Sequence, residues 1–331
     1  MVNNRLLTVD RGDAGMSFLK RLFGKRDAAP EWAGFMEGAE YSRFVEIVRA
    51  DLVSRGLAFE LDGSDGRVRV VGETGPQLLG LTNLAQRCHR LPVESWVETI
   101  HRHFDTLILG TPKAADFLET LSSDFEQAKQ YLKVRIYPSD YAAGLNATVS
   151  EEVAEGLISV LVYDLPDSVA NVHPNHVQKW GVPQYDLFQL GLRNVRADGL
   201  LPSQRIELSS GARLDHYEDP DNYFGASHAL LLHEYFDPLP ELGILVSIPH
   251  RHGIVVHPIH GSDVRPSLGV LFYYVPRLYE QGPGSISPNI YWYRAGIFTH
   301  LPYLLGENDT VSFHPPASFQ EQVLAKIDAA E

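Results

Sequence analysis

The sequence is short of cysteine, of long apolar runs and of positive charge. Cys88 is its single cysteine among 331 residues, which excludes an intrachain disulfide and a zinc site built from cysteines. The longest apolar runs, such as 157–162 and 242–248, have the length of strands and are too short to span a bilayer. The first residues also lack the apolar core of a secretion signal. These absences predict a cytoplasmic protein.

Acidic side chains outnumber basic ones. The chain has 28 Lys and Arg against 42 Asp and Glu, a formal net charge of −14. Negative charge disfavours a ligand held through its phosphates, so no nucleic-acid partner is expected. The same charge would attract a basic protein partner, although acidity also serves solubility alone.

Motifs of common enzyme classes are missing as well. The sequence has no Gly-x-Ser-x-Gly elbow and no Gly-x-x-x-x-Gly-Lys phosphate loop. Cys88 has Arg87 and His89 as neighbours, but adjacent residues of an extended segment face opposite ways, so His89 is no obvious base for the thiol. We therefore assign no catalytic residues and interpret Cys88 as a small hydrophobic side chain.

Apolar periodicity and turn residues predict helices followed by hairpins. The order helix then hairpin occurs twice, which favours two related halves over a single unrepeated unit. Helices on one face of mostly antiparallel sheets define an α+β fold. The predicted helices include 39–53, 93–107, 114–132 and 226–235, and the predicted hairpins span 57–71 and 242–259.

The expected division is a mobile N-terminal extension, 1–36, a first α+β half, 37–175, and a second half, 176–331. Within the extension, apolar and basic residues of 18–26 share a short helical face, as in a weak interfacial anchor. Peripheral membrane contact is one interpretation of this segment. The alternative is a terminus that is frayed or docks on its own domain.

Four segments, 132–138, 177–195, 231–250 and 290–297, resemble in order and spacing the YtpQ-like family of uncharacterised bacterial proteins (domain of unknown function 1444). Val195 departs from that family's leucine. The resemblance implies a bacterial cytosolic protein and supplies no catalytic residues. A fainter similarity of fold is to type III secretion chaperones and YbjN-like proteins, whose sheets form binding platforms.

The most chemical-looking stretch contains His250, His252 and His257. On a strand, residues two apart share a face, so His250 and His252 could hold zinc with His257 reaching in from the other arm of a hairpin. No carboxylate falls within the stretch, and Gly253 puts the turn among these residues. The alternative is a polar turn whose histidines are solvated or bond to the backbone.

Acidic and aromatic clusters complete the candidates. Asp215, Glu218 and their acidic neighbours up to Asp221 are predicted to form a solvated loop, since calcium needs a tighter alternation of oxygen ligands. Aromatic side chains on both faces of a strand suggest that one face is core, while the other either covers a helix or meets a partner. The partner-binding candidates are Tyr291, Tyr293 and Trp180.

Together these features favour a non-catalytic protein-binding module, such as an adaptor, a dedicated chaperone or an immunity-type inhibitor, with no cofactor. The alternative is a metal-dependent hydrolase organised around zinc at the histidine hairpin. Whether two chains pair as a homodimer stays open.

Overall fold

The computed structural model describes residues 29–62, 66–72, 75–109, 111–144, 148–165, 168–306 and 310–329. The proposed membrane-contact segment, 18–26, lies outside these residues. Within them, no helix combines the length and apolar character that crossing a membrane requires.

The N-terminal unit is an antiparallel three-stranded sheet packed against three helices. Phe44, Val48 and Leu52 recur on one helical face, as the periodicity predicts, and are completely buried. Phe35 and Met36 join the same core, so the folded chain begins before residue 37. The elements are α1 Gly38–Ser54, β1 Ala58–Asp62, β2 Arg67–Gly72, β3 Gly75–Gly80, α2 Thr82–His89 and α3 Trp96–Leu109.

The middle unit is a four-stranded antiparallel sheet covered by helices. Its strand β6 pairs with β4 along its length and with β5 and β7 over its first and last parts. The elements are α4 Thr111–Ser123, α5 Phe125–Ala128, β4 Leu132–Pro138, β5 Ser150–Ala154, β6 Leu157–Leu165, β7 Ser168–Asn171, α6 Pro174–Trp180 and α7 Gln184–Ala197.

One prediction for this unit needs correction. The helix predicted at 114–132 is broken at Asp124. The backbone of Asp124 is extended, and its side chain caps α5 by accepting a hydrogen bond from the backbone N–H of Gln127. Leu187 and Phe188 of α7 are buried against the β4–β6 sheet, and the boundary expected after residue 175 stays a prediction.

The C-terminal unit is a six-stranded antiparallel sheet with strand order β13-β12-β10-β11-β9-β8. Leu245 and Val255 face the long helix α8, while Ile254 and Val256 face the middle unit. The helix predicted at 226–235 is a 3₁₀ helix, Gly225–Glu234. The elements are β8 Ser203–Glu207, β9 Arg213–Glu218, β10 Ile244–His250, β11 Gly253–Pro258, α8 Val264–Gln281, β12 Ile290–Arg294, β13 Ile297–His300, β14 Tyr303–Leu305, β15 Val311–Phe313, α9 Ala317–Phe319 and α10 Ala325–Asp328.

The α+β class is therefore confirmed, with helices packed on several separate antiparallel sheets. The division into two related halves and the likeness to secretion chaperones stay predictions.

Candidate functional site

The predicted histidine hairpin forms, with β10 and β11 paired and Arg251 and His252 in the turn. Its three histidines do not converge. The register places His250 opposite Gly253 and His257 opposite Leu245. Leu245, the residue opposite His257, lies five residues from His250 along β10. At roughly 3.3 Å per residue, about 16 Å of strand therefore separates the two histidines.

His250 is buried at the end of β10, with only 1% of its surface exposed. Its Nδ1 accepts a 3.3 Å hydrogen bond from the backbone N–H of His252, so the ring proton of the neutral imidazole is on Nε2. That Nε2 lies 3.5 Å from Oε1 of Glu218. Burial and the positive charge of Arg90 hold the pKa of His250 well below its ordinary value, and the ring is neutral at pH 7.

Strand β9 brings a second histidine and the carboxylate to the same place. His216 and Glu218 are two residues apart, so both point to the face covered by α8. His216 Nε2 lies 3.6 Å from Glu218 Oε2, and its Nδ1 shares a 3.1 Å hydrogen bond with the Tyr274 hydroxyl. The prediction that these acidic residues form a solvated loop is wrong for Asp215 and Glu218, which both lie on β9, with Asp215 buried and 17% of the Glu218 side chain exposed.

His216, Glu218 and His250 form a group that could hold a metal, since one ligand atom from each lies within 4.8 Å of the others. Two features oppose a cation there. Arg90 donates a hydrogen bond to the Glu218 carboxylate. His250 presents a protonated Nε2, whereas a metal-binding histidine usually donates its other ring N–H and leaves a bare nitrogen for the metal. His216 Nε2 has no hydrogen-bond partner among the described residues, and the group lies beside a polar cavity of about 300 Å³.

His252 points away from this group. Its Nδ1 lies 3.0 Å from the Asn222 carbonyl, and its Nε2 accepts a 3.0 Å hydrogen bond from Nε of Arg251. Burial and the Arg251 charge lower the pKa of His252 to about 3. The ring is therefore a neutral acceptor that orients Arg251.

Arg251 belongs to a cluster that we call the arginine site, formed by Arg87 of α2, Arg135 of β4 and Arg251 of the hairpin turn. All three side chains are half-buried. In the portion of the chain that the structure describes, none of them makes an ion pair with a carboxylate, and Arg135 Nε has no hydrogen-bond partner. Burial, then the charge of Arg135 and, less strongly, that of Arg87, lower the pKa of Arg251 to about 10.

Tyrosine rings surround the arginine site. The guanidinium carbons of Arg251 and Arg87 lie 5.1 Å and 5.9 Å from the centre of the Tyr223 ring, and Arg87 also donates a 2.8 Å hydrogen bond to the Tyr223 hydroxyl. Arg135 lies 5.0 Å from the Tyr137 ring, which stacks on Tyr141 at 3.8 Å. The Tyr137 phenol leaves the positive charge of the site uncompensated, because burial raises its pKa to about 12.

His257 lies at the other end of the hairpin. It is 1% exposed, its Nδ1 lies 2.7 Å from the Arg213 carbonyl, and its Nε2 lies 3.7 Å from Oδ1 of Asp263. Burial lowers its pKa, and the Asp263 charge partly offsets this effect. Asp263 immediately precedes α8.

The aromatic candidates are only partly accessible. Tyr291 is completely buried, with its hydroxyl 3.0 Å from the Glu155 carbonyl, so it belongs to the core. Trp180 is half-buried against Phe125 and donates a hydrogen bond to the Leu121 carbonyl. Tyr293 is half-buried too. Partner binding by Trp180 and Tyr293 stays a prediction.

Cys88 is completely buried in the core of the N-terminal unit. Burial raises the pKa of its thiol to about 12, so the group stays protonated at neutral pH. Its interpretation as a small hydrophobic side chain is confirmed.

No protein-family model matches this sequence, and neither the curated proteins nor the solved structures contain a significant match. The resemblance to the YtpQ-like family therefore stays a prediction.

Proposed function

We propose that this protein is a non-catalytic binding protein whose ligand is a small anion held at the arginine site. The observation that carries the proposal is that Arg87, Arg135 and Arg251 lie close together, half-buried, without an ion pair to any described carboxylate. The chain has 42 Asp and Glu residues, so carboxylates that could pair with these arginines are plentiful in the sequence. Buried charges are ordinarily paired, so uncompensated ones indicate that the counter-charge comes from a ligand.

The energetic cost of leaving the site unpaired supports this proposal. A pKa of about 10 for Arg251, against an ordinary value of about 12.5, corresponds to roughly 3 kcal/mol of unfavourable free energy in the charged form. A bound anion reverses the repulsion among the three guanidinium groups. Burial is the largest cause of this shift, and an anion offsets only the smaller part that comes from the charges of Arg135 and Arg87.

The residue types indicate the ligand's chemistry. Guanidinium groups present planar pairs of N–H donors that match the oxygens of phosphate and carboxylate groups. His252 fixes Arg251 through its Nε, and Tyr223 contacts both Arg251 and Arg87, so the donors are held in place before binding. Phosphate and carboxylate ligands share this oxyanion chemistry.

Calorimetric titration tests the proposal at low ionic strength with two probes, inorganic pyrophosphate and citrate. We expect Arg251→Met and Arg135→Met each to weaken binding at least ~10-fold, the effect of losing a charged hydrogen bond. The control is Arg43→Met, because Arg43 is exposed on α1 and paired with Glu46. Preference for one probe identifies the anion class.

Stability without ligand separates a binding role from a structural one. If the arginines await an anion, Arg251→Met removes an unpaired charge, and we expect the free energy of unfolding to rise by roughly 1 kcal/mol. A large loss of stability, failure of both probes to bind, or equal weakening by Arg43→Met would contradict the proposal.

The protein partner predicted from the net charge remains a second proposal. Affinity purification under several growth conditions tests it, and the expected result is a stoichiometric basic protein. Recovery of none would count against an adaptor, chaperone or inhibitor role while leaving the anion proposal untouched.

A further inference from the structure

His257 and Asp263 present two buried acceptor atoms to each other. His257 Nε2 and Asp263 Oδ1 are 3.7 Å apart, both are inaccessible to solvent, and neither has a hydrogen-bond partner among the residues described. Buried polar atoms in native proteins are almost always satisfied. The described residues therefore supply neither a hydrogen-bond donor nor a cation that would satisfy these two atoms.

The state of the His257 ring is fixed by its other nitrogen. Nδ1 lies 2.7 Å from the backbone carbonyl of Arg213, which can only accept, so Nδ1 carries the ring proton. In the neutral ring Nδ1 holds the only proton, which leaves a lone pair on Nε2. A lone pair and a carboxylate oxygen repel each other unless a positive centre or a double donor lies between them.

The Asp263 carboxylate also directs one oxygen toward His257. Its Oδ2 lies 3.9 Å from the Arg213 guanidinium, which leaves Oδ1 directed at His257. The nearby Asp215 carboxylate does not compete, because Arg205 binds both of its oxygens at 2.8 and 3.3 Å. These residues line a cavity of about 200 Å³, which the exposed His260 also borders.

We propose that His257 Nε2 and Asp263 Oδ1 bind a divalent transition-metal ion of the zinc class. Zinc takes imidazole nitrogen and carboxylate oxygen at about 2.0–2.2 Å, so two tetrahedral ligands lie ~3.4 Å apart. The observed 3.7 Å is within a small side-chain adjustment of that value. Water from the cavity would complete the coordination.

The second contacts of His257 match those of a metal ligand. A metal-binding histidine usually donates its other ring N–H to a carbonyl or carboxylate, as His257 does to Arg213. Ser267 holds the same carbonyl at 3.1 Å and accepts from the Arg213 N–H at 3.0 Å, which fixes the acceptor. If the protein were the metal-dependent hydrolase considered as the alternative function, this site would hold the metal. It uses His257 and neither of the other two histidines predicted from the sequence.

Titration of the full-length protein, stripped with a chelator, with Zn²⁺ and with Co²⁺ tests the site. We expect one equivalent to bind, Co²⁺ to give the visible absorption of a tetrahedral complex, and Zn²⁺ to raise the melting temperature. His257→Gln and the isosteric Asp263→Asn should each weaken binding at least ~10-fold. Circular dichroism verifies that both variants fold.

The control variants are His233→Gln, an exposed histidine, and His250→Gln at the opposite end of the hairpin. Both should bind metal as the unchanged protein does. Loss of binding in His250→Gln instead would assign the metal to the group with His216 and Glu218. Absence of any bound metal would show that a water molecule bridges His257 and Asp263, and would overturn the proposal.

Discussion

The two ends of helix α8 make an informative comparison, because each places a histidine of the same hairpin near a carboxylate. At the C-terminal end His250 faces Glu218 at 3.5 Å, and at the N-terminal end His257 faces Asp263 at 3.7 Å. Both rings are almost completely buried, and burial lowers both pKa values. Residue type, burial and distance are therefore nearly the same.

The two ends differ in the partner of the second ring nitrogen. At His250 this nitrogen accepts from a backbone N–H, so the nitrogen facing Glu218 is a donor. At His257 it donates to a carbonyl, so the nitrogen facing Asp263 is an acceptor. At the first end Arg90 donates a hydrogen bond to Glu218, whereas at the second end neither His257 Nε2 nor Asp263 Oδ1 has a hydrogen-bond partner among the described residues. A histidine–carboxylate pair is thus interpretable only with its outer contacts.

The largest effect is expected from a methyl group added at each end. The backbone of Gly282, with φ −77° and ψ 135°, suits alanine, but a Cβ there would lie 2.0 Å from the His250 ring. We expect Gly282→Ala to cost about 3 kcal/mol, because the buried ring cannot move aside. Gly261→Ala at the other end meets no atom within 4 Å and should change stability by less than ~0.5 kcal/mol. Urea unfolding measures both, and equal effects would contradict the packing described for His250.

The pH dependence of stability should also differ between the ends. A neutral buried histidine contributes stability that is present above the unfolded pKa of about 6.5 and is lost as pH falls below it, because only the unfolded chain takes up the proton. Between pH 7 and 5 this amounts to at most about 2 kcal/mol per histidine. Asp263 offsets part of the effect at His257.

We therefore expect His250→Gln to flatten the loss of stability between pH 7 and 5 more than His257→Gln does. Urea midpoints of the two variants and the unchanged protein at both pH values provide the measurement. A steeper curve in His250→Gln, or the same flattening in both variants, would contradict the difference between the two ends.

The smallest effects come from hydroxyl groups that orient each end. Tyr274→Phe removes the hydrogen bond to His216, and we expect a cost of about 1 kcal/mol. Ser267→Ala removes two bonds to the Arg213 backbone and should cost roughly 1.5 kcal/mol. Only Ser267→Ala should also weaken the proposed metal binding. If Tyr274→Phe weakened it instead, the metal would belong to the His216 end.

Local patterns predict the elements well where burial and periodicity coincide. The face of α1 and both hairpins follow from apolar spacing and turn residues. The segment 114–132 was predicted as a single helix because its apolar stripe continues past Asp124. In the structure one helix ends before Asp124, and the Asp124 side chain caps the start of the next. The strand position of Glu218 was missed because the sequence of acidic residues around Pro220 is typical of a loop.

The candidate sites were less predictable than the fold. His250, His252 and His257 are close in sequence, yet the hairpin register and the turn send them to three different surroundings. The arginine site joins residues 87, 135 and 251 from three units, and only tertiary packing brings them together. One signal was available: Arg135 alternates with buried Val134 and Ile136, so a charged side chain lies beside the core.

Helix α2 has a consequence for how the N-terminal unit is attached. The buried core residues described for that unit lie within 35–104, whereas α2 and the residue after it reach the C-terminal unit through polar groups. Gln86 bonds Ser285, Arg87 bonds Tyr223 and Arg90 bonds Glu218. Ionic strength weakens contacts between charged groups more than apolar packing. Two of these three bonds come from arginines that border the anion and histidine groups, which links the attachment of the N-terminal unit to the electrostatic state of both groups.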